Sequence, residues 1–248
     1  MEERKKIREA LKETEILKFP DKLISPSQST TLHYFVLAEP YYLEVLENEG
    51  PETKVREGKI TWEKPKLLTP GYVLNMEGFS KEAKKALQLM SQNHPDLAGF
   101  LYKMNYKKES LRTFSVSKSI EQTSDRIKDE IKEKGDTMTA IIKGIDELWD
   151  VSLMKLVQEL IIKSMYKSQI PYYEDRGFLS TDDKGYYVVT RNLEGLPIAV
   201  SEEIEKMFDR VKSGDLDPSV LKRELDRWGV FEAYQDRFFD LFRKGGGR

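Results

Sequence analysis

The sequence predicts a helix-dominated α+β fold. It should hold a small N-terminal antiparallel sheet over residues 31–75, a long central helix in a helical bundle, one β-hairpin and a set of C-terminal helices. Three observations predict it. β-branched and aromatic segments crowd into residues 31–75. Apolar residues at helical spacing run from 137 to about 168. After Pro171, Gly177–Thr181 faces Tyr186–Thr190 across Asp182-Asp183-Lys184-Gly185, and helical patterns resume behind it.

Taken in order, residues 2–13 read as a charged helix with a thin stripe of Ile7, Ala10 and Leu11, broken at Phe19-Pro20. Ser25–Thr31 is a loop. Thr31–Ala38 is the clearest strand, and its continuous apolar character predicts burial on both faces. Tyr41–Leu46 fits a short helix or a strand. Glu57-Gly58 between Thr53–Arg56 and Lys59–Glu63 suits a tight hairpin, and Lys66–Thr69, bracketed by prolines, suits an edge strand. Ser80 caps a helix with Ala83, Ala86, Leu87 and Met90 on one face, and a second helix carries Leu97, Phe100, Leu101 and Met104.

Residues 110–118 look extended. Ser119 starts a polar helix with the stripe Ile120, Ile127 and Ile131, and Gly135 ends it, because a helix C-terminus favours a left-handed residue. Asp136 or Thr137 would then cap the central helix, folded back antiparallel on the one before it. The apolar arc of that helix, widened by Val151, Leu153, Met154, Val157 and Ile161, exceeds what one neighbour can cover, which predicts a two-fold dimer. Ser201 opens a helix ending at Gly214. Asp217-Pro218 opens another, with a cap followed by proline at the first helical position, ending at Trp228-Gly229. The last helix should bury Phe231, Tyr234, Phe238 and Phe242, and the tail Gly245–Arg248 should be disordered. Residues 1–118 would form a mixed α/β region and 119–248 a helical region containing the hairpin 176–191.

Composition narrows the chemistry. There is no cysteine, which excludes disulfides and thiolate metal sites, and there are only two histidines. No metal and no cofactor are expected. Basic and acidic residues nearly cancel, at 41 against 43, and neither half of the chain has the basic excess of an electrostatic nucleic-acid binder. No apolar run follows Met1-Glu2-Glu3-Arg4, and the apolar stretch near 137–168 is interrupted by charges, so a cytoplasmic protein without membrane spans is expected.

No glycine-rich phosphate loop, metalloprotease, nucleophile-elbow or calcium-loop pattern occurs. His33 lies within a strand and His94 before Pro95, neither at a recognised spacing to a nucleophile. Glu174-Asp175 and Asp182-Asp183 are paired acids, but the second pair falls where a turn favours aspartate in any case.

The hairpin 176–191 follows a helix and resembles the wing of a winged-helix module. That resemblance implies phosphate contacts from Arg176, Lys184 and Arg191, although no separate recognition helix precedes it. Phe239 lies off the Phe231/Phe238/Phe242 face and is a candidate anchor for a protein partner. These features favour a non-enzymatic binding or assembly protein. A nucleic-acid-binding protein using the hairpin is the alternative, and a carboxylate- or metal-dependent enzyme the next.

One sequence signal can be tested alone. Asp217→Ala removes the acceptor for the unpaired N–H groups of the first helical turn, so it should lower the chemical-denaturation midpoint without changing the slope. An unchanged midpoint would mean that no helix starts there.

Overall fold

The computed structural model describes residues 2–44, 50–63, 76–91, 106–183, 187–193 and 195–243. The chain forms two compact units, one of residues 1–65 and 74–169, the other of residues 66–73 and 170–248.

The first unit opens with helix α1 (Glu2–Glu13), which buries Ile7 and Ala10. Strands β1 (Glu15–Lys18), β2 (Thr30–Ala38), β3 (Thr53–Trp62) and β4 (Met76–Glu77) follow, then α2 (Lys81–Ser91), β5 (Tyr106–Val116), α3 (Ile120–Lys134), β6 (Thr139–Lys143) and α4 (Trp149–Ser164). A π-helical turn, Met165–Gln169, closes the unit. The strands make one mixed sheet in the order β1-β6-β2-β3-β5-β4. β2 pairs antiparallel with β3 and parallel with β6.

Alternation along β2 sends its side chains to two layers. Leu37 joins Val55, Ile141 and the α3 stripe Ile120, Ile127 and Ile131 on one face. Leu32, Tyr34, Val36 and Ala38 are fully buried on the other, where α4 packs against β2 and β6. Burial on both faces therefore holds for Val36–Ala38, while His33 and Phe35 stay partly exposed.

This sheet corrects the expected fold class. It is neither small nor confined to residues 31–75, and it is mixed rather than antiparallel, because it recruits residues 106–116 and 139–143. The long central helix over 137–168 and the bundle around it do not form. Thr139-Ala140-Ile141-Ile142 is a buried strand seated between β1 and β2. A short apolar run satisfies helical and buried-strand patterns equally, and a strand inside a sheet reads as continuously apolar.

Gly135 does end α3 in the left-handed region, with φ 63° and ψ 26°, and the Asp136 N–H reaches the Ile131 carbonyl. The hinge, however, joins a helix to a strand. Asp136 turns the chain by accepting from the Met138 N–H at 2.9 Å and the Thr139 hydroxyl at 2.6 Å. The apolar arc of the true helix α4 is covered within one chain, since Val151, Leu153, Met154, Leu156, Leu160 and Ile161 have no exposed surface. The physical reason for expecting a dimer through that helix is thereby removed.

Glu57-Gly58 is likewise no hairpin, for β3 runs straight through it. Gly58 stands opposite Tyr34, and the β3–β5 register slips beside it so that Leu111 is left over as a bulge. A Cβ at position 58 would overlap the Tyr34 hydroxyl and the Glu109 carbonyl. The glycine is there because an aromatic ring lies across the strand, not because the chain turns. The expected edge strand 66–69, the helix holding residues 97–104, His94 and the tail 245–248 lie outside the described residues.

The second unit comprises α5 (Ile170–Asp175), the ribbon β7 (Leu179–Thr181) and β8 (Tyr187–Val189), α6 (Ile198–Lys212), α7 (Pro218–Trp228) and α8 (Phe231–Arg243). Its core is Leu196, Val200, Ile204, Met207, Phe208, Leu221, Leu225 and Phe238. Asp217 caps α7, accepting from the Ser219 N–H at 2.7 Å ahead of Pro218. α6 starts at Ile198, directly after Pro197, three residues earlier than Ser201 suggested. Phe238 is buried, whereas Phe242 is 53% exposed and so corrects the expected face of the last helix. Among the described residues no helix is long and apolar enough to cross a membrane.

The Gly58–Tyr34 contact makes a stability prediction. Gly58→Ala forces either the ring or the Glu109 backbone to move and should cost about 3 kcal/mol by chemical denaturation. Adding Tyr34→Ala should make the second cost smaller than the sum of the two changes made singly. Strict additivity would show that ring and glycine do not meet.

Candidate functional site

The loop from Gly144 to Leu148 joins β6 to α4 at the carboxyl ends of the parallel strands β2 and β6. Its first residue must be small. The Gly144 N–H donates to the Leu37 carbonyl at 2.9 Å, and a Cβ there would stand 2.5 Å from Ser152 Oγ on α4. Ser152 is fully buried, and its hydroxyl lies 2.8 Å from that of Thr14 at the end of α1.

Beyond Gly144 the loop is fastened by two carboxylates. Asp146 pairs with Arg56, with Lys54 at 3.2 Å, and accepts from the Tyr41 N–H at 3.3 Å. Asp150, in the first turn of α4, pairs with Lys108 at 2.6 Å and accepts from the Ser80 N–H at 2.7 Å, at the start of α2. The Lys108 and Asp150 side chains are only 7% and 9% exposed. Removing either partner of a pair so enclosed would leave the other buried without its hydrogen bond.

Trp149 lies between the two ion pairs. The Lys108 ammonium is 4.4 Å from its ring centre and the Arg56 guanidinium 5.4 Å, while Phe79 offers Lys108 a second ring at 5.1 Å. The quadrupole of an aromatic face attracts a cation at such distances. Burial works to raise the Asp146 carboxyl. The hydrogen bonds from Arg56, Lys54 and Tyr41, together with the Arg56 charge, outweigh it and hold the group below the ordinary aspartate range. Burial, reinforced by the Asp150 charge and only partly offset by Ser110, pushes the nearby Tyr34 phenol up to about 12.

A cleft of about 530 Å³ opens against this loop, lined among others by Glu13, Glu39, Tyr41, Lys143, Asp146 and Glu147. Its acids outnumber its bases. Asp146 is neutralised by its own partners, whereas Glu13, Glu39 and Glu147 are exposed and form no ion pair with a described residue. A second cleft of about 400 Å³ lies beyond Glu147, where Phe79, Lys108, Trp149 and Asp150 form part of its wall. Among the described residues no three His, Asp or Glu side chains are placed to hold a metal ion.

The residues singled out from sequence lie elsewhere. Arg176 is exposed, with its guanidinium 4.8 Å from the Tyr172 ring centre, and Arg191 Nη1 donates to the Gly195 carbonyl at 2.6 Å. Lys184 lies outside the described residues. Phe239 is 47% exposed on α8. His33 Nδ1 is 3.7 Å from Asp136 Oδ2, the oxygen that also accepts from the Thr139 hydroxyl.

Sequence reasoning took Asp146 and Asp150 only as charges that exclude a membrane span. The signal it passed over is a pair of acids four residues apart, the first of them two residues after a glycine, at the entrance to an apolar helix. Their partners Lys54, Arg56 and Lys108 are distant in sequence and carry no local mark.

No family model matches the sequence, no curated protein matches it, and no solved structure matches the fold.

Asp146→Asn leaves Arg56 and Lys54 facing a neutral amide and should destabilise the protein by about 3 kcal/mol at neutral pH. The carboxyl titrates lower in the folded chain than in the unfolded one. Its contribution is therefore full above the unfolded value, about 3.9, and is lost as pH falls through the folded value. Denaturation of both proteins from pH 7 downward should show the gap narrowing only below pH about 4. A gap independent of pH would remove the ion pair as its cause.

Proposed function

We propose that the chain is a non-catalytic binding protein that receives a lysine- or arginine-rich segment of a partner protein in the cleft beside the Gly144–Leu148 loop. The observation that carries this reading is the division of labour among the carboxylates. Asp146 is committed to Arg56 and Lys54 and holds the wall in place, while Glu13, Glu39 and Glu147 face the opening with no cation of their own among the described residues. A surplus of one sign in a concave site attracts the opposite sign. Tyr41 and the apolar lining at Ile120 and Ile145 suit the aliphatic stem of a long basic side chain.

The electrostatics favour binding over proton transfer. A general acid or base works best with a pKa near the operating pH. The Asp146 carboxyl in the cleft wall is displaced downward, away from neutrality.

The reading is tested with a fluorescent octalysine peptide and an octaglutamate control in anisotropy titrations at low salt. The basic peptide should bind, weaken as salt is raised, and lose at least about tenfold in affinity when Glu39→Lys and Glu147→Lys are combined. Both positions are exposed, so the melting temperature of the double variant should hold. Equal affinity for wild type and variant, or no binding of octalysine, would refute the cleft as the receptor.

A further inference from the structure

We infer that the outward stripe of α8 pairs with the same stripe of a second copy, antiparallel about a two-fold axis near Phe239. The inference is independent of the cleft. Glu232, Asp236, Phe239 and Arg243 are spaced by four, three and four residues, which places them along one side of a helix. That side is opposite the one through which Phe238 and Tyr234 pack into their core. Phe239 is 47% exposed and its neighbour Phe242, one turn on, 53%. The rings of both stand within 6 Å of Phe238, at 5.9 and 5.5 Å, so they are braced from behind and present firm apolar surface.

The order of charges selects the occupant. The stripe reads acid, acid, aromatic, base from its N-terminal to its C-terminal end. Laid antiparallel on its own copy, the aromatic centres meet and each Arg243 faces the partner's acidic end. Laid parallel, like charges oppose one another at both ends. A surface that complements itself in one orientation only gives an isologous, closed dimer.

Glu232 and Asp236 form no ion pair with a described residue. Among the described residues Arg243 is held only by Asp240, at 3.2 Å, with the two side chains 80% and 60% exposed. A pair so wetted contributes little and is readily exchanged for one across the interface. α8 is about 20 Å long, and a single helix face falls well short of the roughly 800 Å² per partner of a stable interface. The dimer is accordingly weak, with a dissociation constant on the order of 100 µM, and its end-to-end ion pairs make it sensitive to salt.

Sedimentation equilibrium of the full chain from about 10 µM to about 1 mM decides the matter. The wild type should pass from 28.9 kDa toward twice that mass as concentration rises. Phe239→Glu should remain a monomer with unchanged circular dichroism. Arg243→Glu should weaken association by about tenfold, and adding Asp236→Arg to the same chain should restore it, because the reversed stripe is again its own complement. The double variant retains any local effect of Glu at position 243, so restoration separates pairing from fraying of the helix end. A wild type that stays at 28.9 kDa throughout, or a dimer indifferent to Phe239→Glu, overturns the proposal. Weakening by Arg243→Glu without restoration overturns the antiparallel register.

Discussion

Two carboxylates four residues apart fasten the entrance of α4 to the sheet, and the first unit is arranged around that attachment. Asp146 reaches Lys54 and Arg56 on β3, and Asp150 reaches Lys108 on β5. The three cations share one face of the sheet, where they would cover apolar strand surface with unpaired charge if no acid met them. Asp150 also receives the Ser80 N–H, so a single side chain ties the start of α4 to the start of α2. Breaking such a pair leaves a charge buried without a partner, which costs more than the intact pair contributes. The arrangement is thus specified in part by the cost of its alternatives.

The second constraint is close approach. Gly58 yields its Cβ position to the Tyr34 ring, and Gly144 yields its own to Ser152. The first lets the sheet keep a tyrosine on its buried face where a side chain from the neighbouring strand would otherwise stand. The second draws α4 onto the loop, so that Trp149 arrives between Arg56 and Lys108. Neither glycine serves a turn. Each marks a place where another group needs the volume of a methyl.

That distinction explains what could be read from the sequence. Signals complete within a few residues were legible: the helix start at Ser119, the left-handed Gly135, and Asp217-Pro218 with Gly229. Signals whose meaning depends on a distant partner were not. Gly58 looks like a turn residue unless Tyr34 is known to lie opposite. Ile141-Ile142 looks helical because residues 145, 148 and 149 extend the spacing, and only pairing with β2 makes it a strand. The same limit applied to the site. Arg176 and Arg191 stood out because they flank a recognisable hairpin, whereas Lys54, Arg56, Lys108 and Asp146 come from three separate elements and acquire a shared role only once the sheet has formed.

The near cancellation of charge over the whole chain, 41 basic against 43 acidic residues, conceals how unevenly that charge is used. At the entrance of α4, Asp146 and Asp150 meet Arg56, Lys54 and Lys108 and serve packing. At the cleft mouth Glu13, Glu39 and Glu147 outnumber Lys143. On α8 the acids and the base are sorted to opposite ends of a stripe with phenylalanine between them. Screening confines the field of an exposed charge to roughly 8 Å at physiological ionic strength, so a partner arriving at either surface responds to the local set and not to the molecular total. A sum near zero therefore has little bearing on what the cleft or the helix attracts. Composition could bound the chemistry of this chain but not locate it, because location enters only through the contacts that decide which charges are neutralised inside and which are left facing outward.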